Sequence, residues 1–132
     1  MIVVDTSAVV AIIRQEHDGN KFTDILDAVD AAIISAVSFV ETNMVIAGRR
    51  ADPDIDQLRA GIRALGIEVA EVTLDQVDVA VRAFLQYGKG RHPARLNIAD
   101  CFAYALAKSR NLPLLFKGDD FAKTDVIPAW RP

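Results

Sequence analysis

Four short apolar runs, each separated from the next by stretches of helical spacing, set the strongest limit on how this chain can fold. Met1 to Val4, Ala31 to Ser35, Ile67 with Val69, and Pro113 to Phe116 read as buried strands. Ser7 to Gln15 reads as a first helix, with Thr6 or Ser7 as its cap. Asp18 to Val29 carries Phe22, Ile25, Leu26 and Val29 at helical spacing and gives a second. Val37 to Arg49 gives a third, and Ile55, Leu58, Ile62 and Leu65 mark a fourth that stops at Gly66. Leu74, Val77, Val81, Phe84 and Leu85 define a fifth, closed by Gly88. Asn97 to Ser109 is the sixth, with Ile98, Phe102, Ala105 and Leu106 on one face. Asp125 to Ile127 is a candidate for a short fifth strand. Apolar strands alternating with helices predict an α/β fold: a mainly parallel sheet of about five strands with helices on both faces. With 132 residues and no Pro/Gly/Ser-rich linker, a single domain over 1–132 is expected.

In such a sheet, ligands bind beyond the carboxyl ends of the strands. That rule points to Asp5, which ends the first strand, and to Gly118-Asp119-Asp120, after the fourth. Two more acids stand at helix starts. Glu41 follows Ser38-Phe39-Val40, a capping-box pattern in which it would reach back to the Ser38 N–H. Asp100 follows Asn97-Ile98-Ala99 and is flanked by apolar residues. A carboxylate in such surroundings is costly to bury unless it is paired or coordinates a metal. Each acid has an ordinary structural explanation of its own: Asp5 as a turn or helix-capping residue, Glu41 as a box glutamate, Asp100 as the acid three residues into another cap-like start at Asn97, and Asp119 or Asp120 as a turn residue.

Taken together, the four positions fall at one edge of the predicted sheet. Clustered carboxylates repel and need cations, and an all-oxygen set suits Mg²⁺ or Mn²⁺. Such an ion can lower the pKa of a bound water and offset charge on a phosphate, so neither a histidine base nor a serine nucleophile is required. The chain has only His17 and His92, which are not at zinc-ligand spacing. Lys89, Arg91 and Arg95 form a basic loop without an acid, either a solvated loop or a phosphate-steering patch leading into the helix that bears Asp100. Tyr104 and Trp130 stand too isolated in sequence to count as base-stacking platforms, and Cys101 reads as a core residue.

Composition excludes several alternatives. Net charge is -3, which argues against nonspecific coating of duplex nucleic acid. One cysteine forbids an intrachain disulfide and fits a reducing compartment. No apolar run is long enough to span a bilayer, and the stretch from Ile2 to Ile13 is broken by Asp5-Thr6-Ser7 and lacks the basic start of a secretory signal. A cytoplasmic protein without membrane association is expected.

Four segments also carry a family resemblance. Ile2-Val-Val-Asp5-Thr6-Ser7-Ala8, Ser38-Phe-Val-Glu41, Leu96-Asn-Ile-Ala-Asp100-Cys-Phe-Ala-Tyr-Ala-Leu-Ala and Leu115-Phe-Lys-Gly118-Asp119-Asp120-Phe121 resemble, in order and spacing, PIN-domain proteins of the VapC-like toxin branch. The resemblance covers essentially the whole chain. It implies a three-layer α/β/α sandwich and a Mg²⁺- or Mn²⁺-dependent endoribonuclease, the toxic component of a type II toxin–antitoxin system. It carries the metal-binding and catalytic quartet onto Asp5, Glu41, Asp100 and Asp119, with Asp120 as the substitute for Asp119 if the turn is read one residue off. Thr6 or Ser7 matches a hydroxyl that orients the first aspartate or a water near the substrate. In-line attack by metal-activated water would leave a 5′-phosphate and a 3′-hydroxyl. The resemblance further implies a homodimer and a VapB-like antitoxin whose tail covers the site. Two alternatives share the same scaffold: a catalytically silent binding protein and a related metal-dependent DNA nuclease.

Overall fold

The computed structural model describes residues 1–132. The chain runs β1 (Ile2–Val4), α1 (Thr6–Ile13), α2 (Gly19–Ala28), β2 (Ala32–Ser35), α3 (Ala36–Ala47), α4 (Ile55–Ala64), β3 (Ile67–Ala70), α5 (Leu74–Tyr87), α6 (Ile98–Arg110) and β4 (Leu114–Leu115), and then a 3₁₀ turn at Phe121–Lys123. The strands form one parallel sheet in the order β3-β2-β1-β4.

The strands alternate their side chains between two cores, as a period of two requires. Val3, Ile33, Ala70 and Leu114 face a cluster built with α5 and α6. Ile2, Val4, Ile34, Ile67 and Leu115 face the other cluster, with α1, α2 and Ile62 of α4. Both faces are therefore covered, and the strands read as continuous apolar runs for that reason. Val3, Val4, Leu114 and Leu115 are wholly buried, each worth about 1.5–3 kcal/mol.

The strand order locates the site. From β1 the chain steps through β2 to β3, then crosses back over the sheet to lay β4 on the other side of β1. The reversal between β1 and β4 opens a crevice beyond their carboxyl ends, the usual place for a ligand in this architecture.

The sheet has four strands rather than about five. Asp125 to Ile127 forms no strand, although the following residue makes one parallel bridge, Leu114 to Pro128. The Leu114 N–H donates to the Ile127 carbonyl at 2.8 Å and the Ala129 N–H to the Leu114 carbonyl at 2.9 Å. β4 offers only two residues to pair with, and Asp125 is drawn onto α6 by the Tyr104 hydroxyl at 2.7 Å and Lys108 at 3.0 Å.

The fifth helix also differs from what its apolar spacing suggests. Gln76, Ala80, Ala83 and Tyr87 are its buried residues, and the small side chains let α5 lie close against α6. Leu74, Val77, Val81, Phe84 and Leu85 face outward. Leu115→Ala should lower stability by about 2–5 kcal/mol, measured by urea unfolding, because it opens a cavity beneath the α1–α2 layer.

Candidate active site

Asp5 follows β1 and is 3% exposed. Its N–H donates to the Leu115 carbonyl of β4 at 2.9 Å. It is the N-cap of α1, a role the sequence left open among Asp5, Thr6 and Ser7: Oδ2 accepts from the Ser7 N–H at 3.0 Å and the Ser7 hydroxyl at 2.6 Å. That hydroxyl in turn accepts from the Lys117 N–H at 2.9 Å, tying the ends of β1 and β4 together. The other oxygen, Oδ1, is buried without a hydrogen-bond partner. Burial pushes the Asp5 carboxyl above its ordinary range, and the Glu41 charge adds to this, outweighing the Ser7 hydrogen bonds.

Thr6 was expected beside a substrate, but as the first residue of α1 it points into the α1–α3 interface. It is buried and donates to the Ser38 carbonyl at 3.1 Å. The Thr42 hydroxyl lies 2.8 Å from the same carbonyl and 3.3 Å from the Thr6 hydroxyl. These hydroxyls fix α3 against α1 and so set where the neighbouring Glu41 stands relative to Asp5. Thr42 was not singled out from sequence, although a hydroxyl four residues after Ser38 in an apolar helix was a readable signal.

Glu41 is not a capping glutamate. α3 begins at Ala36, and the Ser35 hydroxyl caps it by accepting from the Val37 N–H at 3.2 Å. Ser38 therefore lies inside the helix and Glu41 in its second turn, beyond the reach of a capping box. The Glu41 charge is felt by both Asp5 and Asp100.

Asp100 does belong to a capping box. Its N–H donates to Asn97 Oδ1 at 2.9 Å, and its Oδ2 accepts from the Asn97 N–H at 3.0 Å. Its carboxyl is pushed up to about 7, first by burial and then, against the Asn97 hydrogen bond, by the charges of Asp5, Glu41 and Asp120. Cys101 is a buried core residue whose thiol is pushed up to about 11 by burial and by Asp100, which makes it a poor nucleophile.

The adjacent pair after β4 separates. Gly118 takes φ +98°, a conformation natural to glycine, and turns the chain sharply past the end of the sheet. Asp120 is then the acid whose charge reaches Asp100, while Asp119 lines a groove with Lys117 and Phe116. Of the two acids the sequence left open for the fourth position, Asp120 is the one whose charge is felt at Asp100. Lys89, Arg91 and Arg95 are exposed, in the loop that ends at the start of α6. They make no ion pairs; Arg91 stacks over Phe84 at 5.9 Å. His92 uses Nδ1 to accept from the Ala94 N–H, and His17 is exposed.

No three of the acids close to metal-ligand distance in this structure. The chemistry of the set nevertheless fits a divalent cation. All donors are carboxylate oxygens, neighbouring negative charge helps raise the Asp5 and Asp100 carboxyls, and one buried oxygen of Asp5 lacks any partner.

The raised Asp100 pKa fixes the sign of a stability effect. A carboxyl raised on folding contributes stability that is present below its unfolded pKa and lost as pH rises through the folded value of about 7. In chelator-treated protein, Asp100→Asn should melt a few degrees above wild type at pH 8. The gap should close toward pH 4. Differential scanning fluorimetry across that range checks it, and added Mg²⁺ should raise the wild type more than the variant.

The PIN domain family matches residues 2–127 of this chain. The chain is 42% identical over 131 residues to ribonuclease VapC30 of Mycobacterium tuberculosis, covering 99% of this chain and 100% of that protein. It is 42% identical over 125 residues to ribonuclease VapC of Mycolicibacterium smegmatis, covering 95% and 97%. Among solved structures, the fold matches M. tuberculosis VapC20, a sarcin-ricin loop cleaving toxin, with TM-score 0.76 at 17% identity over all of both chains. It also matches a chain of a toxin–antitoxin complex from Klebsiella pneumoniae, with TM-score 0.71 at 19% identity over all of both chains. The strand order and the full-length similarity agree: the chain belongs to the PIN-domain family, in its VapC ribonuclease branch.

Proposed function

We propose that this protein is the toxin of a type II toxin–antitoxin pair, a cytoplasmic endoribonuclease that cuts RNA phosphodiester bonds with the help of Mg²⁺ or Mn²⁺. The observation that supports the reading is Asp5 at the topological switch of the sheet with Oδ1 buried and unpartnered, and an Asp100 carboxyl that feels the charges of Asp5, Glu41 and Asp120. These four residues would hold the cation, which supplies Lewis acidity and charge neutralisation for the attack of water on the phosphodiester. Asp5 is held for that work by Ser7, and Glu41 by the Thr6–Thr42 contact between α1 and α3. Lys89, Arg91 and Arg95 draw the RNA backbone toward the N-terminus of α6.

Two apolar surfaces support the partners. The outward face of α5 carries Val81 at 55% exposure, with Phe84 and Leu85 beside it, and suits a homodimer interface. A second apolar surface lies between α3 and the start of α6. It is lined by Val37, Val40, Met44 and Ile98, with Glu41 at its border. It suits an antitoxin tail that anchors apolar side chains there and extends over the acids. No helix is long and apolar enough to cross a membrane.

Asp5→Asn and Asp100→Asn should each reduce cleavage of single-stranded RNA by about a hundredfold or more while the protein stays folded. Asparagine caps a helix as well as aspartate does, so Asp5→Asn preserves α1. Full cleavage by either folded variant would sink the assignment. Equal cutting of matched DNA would point instead to a general nuclease, and no cleavage by the wild type under any divalent metal to a binding protein. Val81→Glu should shift the protein from dimer to monomer in light scattering without loss of helix signal.

A further inference from the structure

On the far side of the Gly118–Asp120 loop lies a groove of about 430 Å³, closed on its other walls by the α1–α2 turn and the final segment of the chain. Its apolar lining comes from Phe116, Pro128 and the indole of Trp130, which is fixed by perpendicular packing on Phe22 at 5.5 Å. Its polar groups are unequal. The Lys117 ammonium is already spent on Glu16 at 2.7 Å, with the Asp18 charge also near it. Asp119 makes no ion pair and no side-chain hydrogen bond, and its carboxylate is free to accept.

The groove therefore presents an aromatic surface, an apolar lining and an uncommitted acceptor. Arg131, exposed and in no ion pair, also lines the groove, so the combination suits a flat group with N–H donors at its edge that is carried on a phosphate strand. Asp119 lines this groove, and the charge of the next residue, Asp120, is felt at Asp100 in the carboxylate cluster. A group seated here would thus sit directly beside whatever occupies the cluster.

We propose that the groove receives a nucleobase of the RNA strand next to the phosphodiester at the carboxylate cluster, with Trp130 as its stacking platform and Asp119 accepting from the base's N–H edge. The proposal rests on the ribonuclease reading for its choice of ligand. Stacking tolerates any base. A carboxylate accepts best from an exocyclic amine, so cytosine is favoured over uracil at this position.

Trp130 is the only tryptophan in the chain, so its fluorescence reports on this groove without any chemistry taking place. The Asp5→Asn protein, which should not cut, is titrated without metal with single-stranded tetranucleotides of cytidine or uridine and with an abasic tetranucleotide. The cytidine strand should quench Trp130 saturably, the uridine strand should bind several-fold more weakly, and the abasic strand should leave the signal unchanged. Asp119→Asn should weaken cytidine binding about tenfold and flatten the preference. Absence of quenching, equal quenching by the abasic strand, or an Asp119→Asn variant with unaltered affinity and preference would overturn the proposal. RNA cleavage without Trp130 quenching defeats the groove alone; quenching without cleavage by the wild type defeats the ribonuclease reading alone.

Discussion

A carboxylate buried at the end of a central strand must find partners for two oxygens, and Asp5 finds them for only one. Oδ2 accepts from Ser7, which also receives the Lys117 N–H, so the cap of α1 and the junction of β1 with β4 depend on the same few atoms. Oδ1 is left in an apolar setting with further carboxylates nearby. Burial without compensation is expensive. The well-covered parallel sheet beneath, with its strands wholly enclosed, is what holds such an arrangement in place. The cost falls at the one edge of the molecule where binding a cation would relieve it.

Much of this was legible in the sequence, and for physical reasons. The strands are short, apolar and covered on both faces, so their runs stand out, and Asp5 ends the first without ambiguity. The box at Asn97 and Asp100 could be read because both partners lie within four residues. Glu41 was obscured by a local pattern that tertiary structure overrode. The strand runs directly into α3, so Ser35 caps it three residues before the apparent box at Ser38. The sequence left Asp119 and Asp120 open because they follow a turn at Gly118, whose positive φ is a backbone property that local spacing does not specify. Nor could the setting of Trp130 be read, because it gains its neighbours only when the end of the chain folds back past β4.

The outward apolar residues teach a related lesson. Apolar spacing on α5 announced a helix, but the face it marked is not the face turned inward against α6; Ala80 and Ala83 are among the residues that fill that role. A helix with small residues inward and large apolar residues outward packs closely on its own fold and leaves a second apolar face uncovered. The apolar stretch from Val37 to Met44 does the same beside Glu41. Both surfaces flank elements that carry or support the site. Covering them would therefore influence the site without touching the chemistry.

Pro128 has a further effect on how the molecule meets its neighbours. Its one bridge to Leu114 turns the edge of its peptide away from the sheet, and on that outer side a proline has no N–H to give. At the opposite edge, β3 is four residues long and places Glu68 and Val69 at the surface, interrupting any flat apolar rim. Parallel sheets with open margins invite other chains to add strands. Here one margin lacks a donor and the other carries a charge. Association is steered away from the backbone edges and toward helix faces, where side-chain shape can discriminate between partners.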